Sequence, residues 1–177
     1  LAFTISDPET DPQNLTLRAT SSTPSLVPDD SLELQGSGAD RTLTAAPVAN
    51  ASGTAMITLT VSDGADSTQQ ALTLTVQPVN DAPVGTNDQY RMAAGDTLRV
   101  TEATNGLLDN DRDIDDSELS AALVDSTSNG ALTLDSTGTF TYAPPPDVTG
   151  EDAFTYAVTD GRGGRDTADV SLTVWPR

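Results

Sequence analysis

Histidine, cysteine and lysine are all missing from this chain of 177 residues, and aromatic residues make up only 4% of it. Each absence closes off a chemistry. Without histidine or cysteine there is no Ser-His or Cys-His nucleophile pair, no thiolate, no zinc knot and no disulfide; without lysine there is no Schiff base and no side-chain isopeptide crosslink. Positive charge is scarce too: the 8 basic residues, all arginine, face 27 acidic ones, for a formal charge of −19. Such a charge repels phosphate backbones and anionic lipid, which argues against nucleic acid and membrane surfaces as partners. Cations are the natural partners. No apolar run approaches the ~20 residues of a membrane span, so no membrane insertion is expected in this segment. Leu1 falls within a strand pattern, which places any signal peptide or anchor outside this sequence.

What the chain does contain is short runs of period two. Phe3 and Ile5, Leu15 and Leu17, Leu32 and Leu34, Met56 to Val61, Leu72 to Val76, Leu132 and Leu134, Phe140 and Tyr142, Phe154 to Val158, and Val170 to Val174 all alternate with polar residues. Gly, Pro, Asn or Asp flanks each run, which is the punctuation of an all-β protein with closely spaced strands, and a sandwich follows more naturally than a barrel. From Leu107 to Asn129 there is neither Gly nor Pro before Asn129, and Ile114 to Val124 has some helical character. Leu119, Ala121 and Leu123 also fit period two, which favours a loop followed by a strand.

An internal repeat organises these runs. Gly53-Thr-Ala-Met-Ile-Thr-Leu-Thr-Val61-Ser-Asp63-Gly64 aligns with Gly150-Glu-Asp-Ala-Phe-Thr-Tyr-Ala-Val158-Thr-Asp160-Gly161, an offset of 97 (158 − 61). Upstream, Asp7-Pro-Glu9-Thr-Asp11 aligns with Asp111-Arg-Asp113-Ile-Asp115 at an offset of 104 (111 − 7). The longer spacing in the first copy points to an extra hairpin within Ser21 to Thr42. Two Greek-key β-sandwich domains in tandem are therefore expected: residues 1–78, a stiff Pro-bracketed linker at 79–83, and residues 84–177. Only six residues precede Asp7, against a long strand-like lead into Asp111, so this sequence should lack the first domain's first strand and leave a sheet edge unpaired unless a preceding segment or, less readily, a neighbouring subunit supplies it.

The carriers of a wider likeness are Asp7-Pro-Glu9, Gly36 to Thr44, Ala51 to Ala55, Val61-Ser-Asp63-Gly64 and Val79-Asn80-Asp81-Ala82-Pro83 in the first copy. In the second they are Asn110-Asp111-Arg-Asp113, Asn129 to Leu134, Gly138 to Tyr142, Gly150 to Tyr156 and Val158-Thr-Asp160-Gly161. With these motifs, in this order and twice over, the chain resembles the tandem cadherin-like, immunoglobulin-fold repeats of very large bacterial surface proteins and adhesins. The resemblance implies the fold and tandem arrangement more strongly than any ligand.

Chemistry concentrates where the acids do. Asp109, Asp111, Asp113, Asp115, Asp116 and Glu118 fall within ten residues. Calcium suits such a loop, because it takes six to eight hard oxygen ligands in a flexible geometry. An EF-hand is excluded: counted from Asp109 or Asp111, the sixth position is Ile114 or Asp116 instead of Gly, and the twelfth is Ser120 or Ala122 instead of Glu. In a Greek-key sandwich the loop after the second strand and the last hairpin lie at the end where the connector enters. Asp111, Asp113, Asp115 and Asp160 are thus expected to face Asn80 and Asp81, with Asp88 as a further ligand. That is the cadherin arrangement of calcium at a domain junction. The sequence departs from it at Ala82, where cadherins continue with Asn, and at Thr42, where their basal motif has Glu; this favours one or two ions over a full cluster. Asp7, Glu9, Asp11 and Asp63 form the equivalent, weak or incomplete site of the first copy. Asp63-Gly64 and Asp160-Gly161 are equally well explained as hairpin turns alone.

The leading function on these grounds is a calcium-stiffened spacer or adhesion module of an extracellular, cell-surface protein, with neighbouring repeats of the same protein as its first partners. Two alternatives stay open. One is a carbohydrate-binding module using Trp175, Tyr90 or Tyr142 against a cell-surface polysaccharide. The other is a filament or homophilic subunit that pairs with a like molecule through the unpaired edge. An enzyme is the weakest reading, since the acids sit in Gly/Asp-rich loops without an evident pocket.

Overall fold

The computed structural model describes residues 1–177. It contains thirteen strands and four single-turn 3-10 segments, with no α-helix. This is an all-β protein, divided into two compact units, Leu1–Val79 and Asn80–Arg177.

The first unit holds β1 (Ala2–Thr4), β2 (Thr16–Ser21), β3 (Leu32–Ser37), β4 (Asp40–Ala45), β5 (Gly53–Ser62) and β6 (Ser67–Val76). They form two three-stranded antiparallel sheets, in the orders β1-β4-β3 and β2-β5-β6. Alternation along β5 decides the inner face: Ala55, Ile57 and Leu59 are buried while Met56 is exposed. The core is almost wholly aliphatic, with Val27, Leu32 and Leu43 joining these residues, because Phe3 is the only aromatic residue of this unit.

The second unit holds β7 (Asp88–Ala93), β8 (Leu98–Val100), β9 (Ser120–Asp125), β10 (Ala131–Leu134), β11 (Phe140–Ala143), β12 (Gly150–Thr159) and β13 (Arg165–Trp175). One sheet runs β7-β13-β12-β9 and the other β10-β11-β8. Here the core is aromatic. Phe140, Tyr142, Phe154 and Tyr156 are buried with Val158, Val170 and Leu172, and Phe140 packs edge-on against both Tyr90 and Phe154, at 4.9 and 5.4 Å between ring centres.

Without β7 the two units match strand for strand, from β1 with β8 through β6 with β13, in both pairings and order. The last hairpin of each turns on a glycine in the left-handed region, Gly64 (φ 99°) and Gly161 (φ 76°), a conformation that side chains with a Cβ resist. β7 has no counterpart in the first unit. It pairs in parallel with β13, whereas β6 has β5 as its only neighbour.

One expectation is corrected here. Ser21 to Thr42 carries no extra hairpin, since β3 and β4 correspond to β10 and β11. The added length lies in the irregular stretch between β2 and β3, which places Leu26 and Val27 in the core and ends in the single turn Asp29–Ser31. The boundary between the units falls after Val79, within the Pro-bracketed segment 79–83. Pro83 is buried, and Val84 bridges Arg112 through paired backbone hydrogen bonds of 2.7 and 3.1 Å.

Candidate metal centre

The acid-rich loop joins β8 to β9. It opens with two single turns, Ala103–Asn105 and Leu107–Asp109, and continues irregularly to β9. Leu107 is fully buried and fixes the start of the loop to the core. Asp113 then folds the middle of the loop on itself: its Oδ1 accepts the backbone N–H groups of Asp115 (2.7 Å) and Asp116 (2.9 Å). That arrangement leaves Asp113 Oδ2 free to face elsewhere.

Several of the expected residues do come together within this unit. The Asn80 side chain donates to Asp160 Oδ2 at 2.6 Å, and the Asp81 N–H donates to Asp115 Oδ2 at 2.6 Å. Asp160 Oδ1 also accepts the backbone N–H groups of Arg162, Gly163 and Gly164. The Asn80 amide, helped by these N–H groups, holds the Asp160 carboxyl below the usual range despite some desolvation. Asp160 is thus both a turn former and a contact of the connector.

Asp88 and Asp111 meet at Tyr156. The Tyr156 hydroxyl lies 3.0 Å from the Leu107 carbonyl, 3.0 Å from Asp111 Oδ2 and 3.3 Å from Asp88 Oδ2. Asp111 also accepts the Thr86 N–H at 2.7 Å, and Asp88 accepts from the Asn110 amide at 3.2 Å. Burial dominates both carboxylates. It pushes Asp88 up to about 6, with the Asp111 charge adding to the shift, and it raises Asp111 as well. A carboxyl raised by folding contributes stability that is complete below its unfolded value and is lost as pH rises through its folded one. In calcium-free buffer, Asp88 is therefore expected to titrate near pH 6 by carboxyl NMR, stabilising the second unit as pH falls from 7 towards 5. A midpoint near 4 would contradict the burial assigned to it.

Asp109, Asp116 and Glu118 of the acidic cluster join Asp111 and Asp113 along one cleft. A cleft of about 730 Å³ is lined by Asp109, Asp111, Asp113, Asp116 and Glu118, together with Arg112. Arg162 bonds Asp116 Oδ1 at 3.1 Å. Three oxygens in this region, Asn110 Oδ1, Asp113 Oδ2 and Asp116 Oδ2, are buried and have no hydrogen-bond partner. Orphaned buried acceptors of this kind are rare in native proteins and fit a bound cation. All are hard oxygen donors, the kind that calcium takes. Even so, no three acidic side chains form a closed metal-binding group. Periodicity marks Tyr156 only as a strand residue and does not mark Arg162 at all, because their roles at the site depend on contacts 45 and 46 residues apart along the chain.

In the first unit the acids act locally. Asp7 Oδ1 accepts from the N–H groups of Glu9 and Thr10, Asp11 Oδ1 from that of Gln13, and Asp63 Oδ1 from those of Ala65 and Asp66. Glu9 makes no side-chain bond to the others, so each acid here shapes its own turn. The backbone donors of Asp66 and Ala65 hold the exposed Asp63 carboxyl below its usual range.

Comparison with known proteins agrees with this fold. The family described as "Bacterial cadherin-like domain" matches residues 80–176, more than half of the chain. No curated protein matches it in sequence. Among solved structures, human mucin-like protocadherin EC1-2 superposes with a TM-score of 0.53 at 20% identity, covering 98% of this chain and 91% of that one. Human protocadherin-24 EC1-2 gives 0.54 at 14% identity, covering 97% and 85%. The endo-fucoidan hydrolase MfFcnA4 aligns at 21% identity over 93% of this chain with a TM-score of only 0.35, and this chain spans 24% of its length. The chain belongs to the bacterial cadherin-like domain family.

Proposed function

We propose that this protein is a calcium-binding structural or adhesion module: two cadherin-like sandwiches in tandem, serving as a spacer of an extracellular bacterial surface protein and not as an enzyme. Membership of the cadherin-like family supports the module, and no helix is long and apolar enough to cross a membrane. The observation that carries calcium is the set of buried oxygens without partners, Asn110 Oδ1, Asp113 Oδ2 and Asp116 Oδ2.

Asp113 and Asp116 would hold the ion in the acidic cleft, with Asp111 and Asp109 beside them. When bound, the ion supplies positive charge that relieves repulsion among these acids and satisfies the orphaned oxygens. The protein's own residues do the rest. Asp115 and Asp160 tie the connector residues Asp81 and Asn80 to the same end of the second unit. An ordered acidic loop therefore means an ordered connector, and an ordered connector is what a spacer needs. Arg162 opposes the ion by competing for Asp116.

Calorimetric titration of calcium into the chelator-treated chain, paired with melting curves, tests this reading. For a dissociation constant of order 10⁻⁴ to 10⁻³ M, millimolar calcium is expected to stabilise the second unit by roughly 0.4 to 1.4 kcal/mol. Asp113→Asn should remove most of that gain. Calcium that produces neither heat nor a melting shift in the unsubstituted chain would overturn the proposal.

A further inference from the structure

The turn between β9 and β10 sets an asparagine before a glycine and protects neither. Asn129 is exposed and its side chain makes no hydrogen bond, while its backbone N–H donates to Asp152 Oδ2 at 3.1 Å, beside that of Ser128 to Oδ1 at 2.9 Å. The Gly130 carbonyl accepts the Thr127 hydroxyl at 3.0 Å, but the Gly130 N–H has no acceptor within the protein. Packing demands this glycine. A Cβ at position 130 would run into the ring of Tyr142, which is fully buried and donates to Asp152 at 2.7 Å.

An Asn-Gly pair is chemically reactive when the amide carbon can reach the next backbone nitrogen, that nitrogen can lose its proton, and no Cβ crowds the approach. Free groups on both sides of the ring closure meet these conditions at Asn129. The only other Asn-Gly pair gives the contrast. Asn105 is exposed too, but Gly106 is buried and its N–H donates to the Ala103 carbonyl at 2.9 Å, closing a single turn. Asp63-Gly64 and Asp160-Gly161 would need a protonated carboxyl for the same ring closure. Hydrogen bonds hold both carboxyls below the usual range, from the Asp66 backbone at Asp63 and from the Asn80 amide at Asp160.

We propose that Asn129 is a self-modification site: in the folded chain it deamidates through a cyclic imide with Gly130, and the product releases the turn from Asp152. The Gly130 nitrogen gives its proton to solvent and attacks Asn129 Cγ; the side-chain nitrogen takes up a proton and leaves as ammonia. Water then opens the imide at either carbonyl, giving aspartate or isoaspartate. One water is consumed and one ammonia released, with no oxidant or reductant. Either product sets a new carboxylate near that of Asp152 in a chain already at −19, and isoaspartate also lengthens the main chain by one carbon between residues 129 and 130. Repulsion and altered spacing both work against the Ser128 and Asn129 bonds that hold the turn. This inference stands independently of calcium.

Incubating the full chain in mildly alkaline buffer and mapping its peptides tests the proposal, with the free peptide Asp125–Leu134 as the intrinsic clock. Asn129 is expected to convert at a rate close to that of the free peptide and about tenfold or more faster than Asn105, whose closed turn must open first. An isoaspartate-specific methyltransferase should label the product, since direct hydrolysis of the side chain gives aspartate alone; absence of label would overturn the imide route. In the aged chain the amides of residues 128 and 129 should exchange with solvent about tenfold faster than in the fresh chain. Asn129→Gln, which keeps the amide but closes the ring poorly, should show neither conversion nor faster exchange after the same incubation. Equal conversion at Asn105 and Asn129 would place the reaction in unfolded molecules and overturn the proposal. So would an Asn129 that stays intact while the peptide reacts, or an aged chain whose amides at 128 and 129 exchange at the fresh rate.

Discussion

Replacing Asp152 by alanine is expected to cost the second unit about 3 to 5 kcal/mol, because a buried carboxylate that satisfies several donors leaves all of them unpaired when removed. Asp152 sits on β12 with 8% of its surface exposed. Oδ1 accepts the N–H groups of Ser128 and Ala153, each at 2.9 Å; Oδ2 accepts the Asn129 N–H at 3.1 Å and the Tyr142 hydroxyl at 2.7 Å. The carboxylate thereby ties the turn before β10 to β12 and anchors a fully buried tyrosine. Asp152→Asn keeps one oxygen but turns an NH2 group towards two donors, and should cost about 1 to 3 kcal/mol. Denaturant unfolding followed by Trp175 fluorescence measures both, since the only tryptophan lies on β13 and reports the second unit. Asp152→Ala within 1 kcal/mol of the unsubstituted chain would show that water replaces the lost acceptor without penalty.

The same carboxylate makes the effect depend on pH. Burial opposes ionisation of Asp152, but the bonds from Tyr142, Ser128, Ala153 and Asn129 outweigh it and hold the group below the usual carboxyl range. A depressed carboxyl contributes stability that is present above its unfolded value of about 3.9 and disappears as pH falls through its folded value. Asp88 works in the opposite direction between about pH 4 and 6. Stability of the calcium-free second unit should therefore peak in mildly acidic solution, with Asp152→Ala making the acid limb shallower while Asp160 still contributes to it.

Asp152 also marks how far the sequence could be read. The offset that aligns Gly53 with Gly150 sets Asp152 opposite Ala55, which is buried at 1% exposure. Both positions are legible as inward-facing by alternation. That one carries an apolar methyl and the other a carboxylate satisfied by four donors depends on where Tyr142 and the Ser128–Asn129 turn come to rest, which periodicity does not encode. The paired strands β5 and β12, the turns at Asp63-Gly64 and Asp160-Gly161, and the loop-then-strand course of Leu107 to Asn129 follow from alternation and turn chemistry, which are local. An insertion reads alike in sequence whether it forms strands or a loop, so the length difference between the copies points to a hairpin, whereas Leu26 and Val27 enter the core from an irregular stretch. Contacts of Asp111 and Asp88 with Tyr156 span 45 and 68 residues of sequence and required the fold.

Tyr156 gives the second large expected effect. It is fully buried on β12, and Tyr156→Ala should destabilise the second unit by about 3 to 5 kcal/mol through loss of the ring and the cavity left behind. Tyr156→Phe separates the ring from the hydroxyl. The ring still fills the core, but the Leu107 carbonyl and the carboxylates of Asp111 and Asp88 lose a shared donor, at a cost of about 1 to 2 kcal/mol. Stability alone would not distinguish that loss from imperfect packing, but the titration of Asp88 does. The hydroxyl bond lowers the Asp88 carboxyl against the larger effect of burial, so removing it should move the Asp88 midpoint upward from about 6. Carboxyl NMR of Tyr156→Phe in calcium-free buffer reads this directly. An unmoved midpoint would mean that the hydroxyl proton goes to the Leu107 carbonyl or Asp111 and not to Asp88. An upward shift would mean that the hydroxyl proton is shared with Asp88, so that the charge state of this β7 carboxylate near neutral pH depends on a residue of the core.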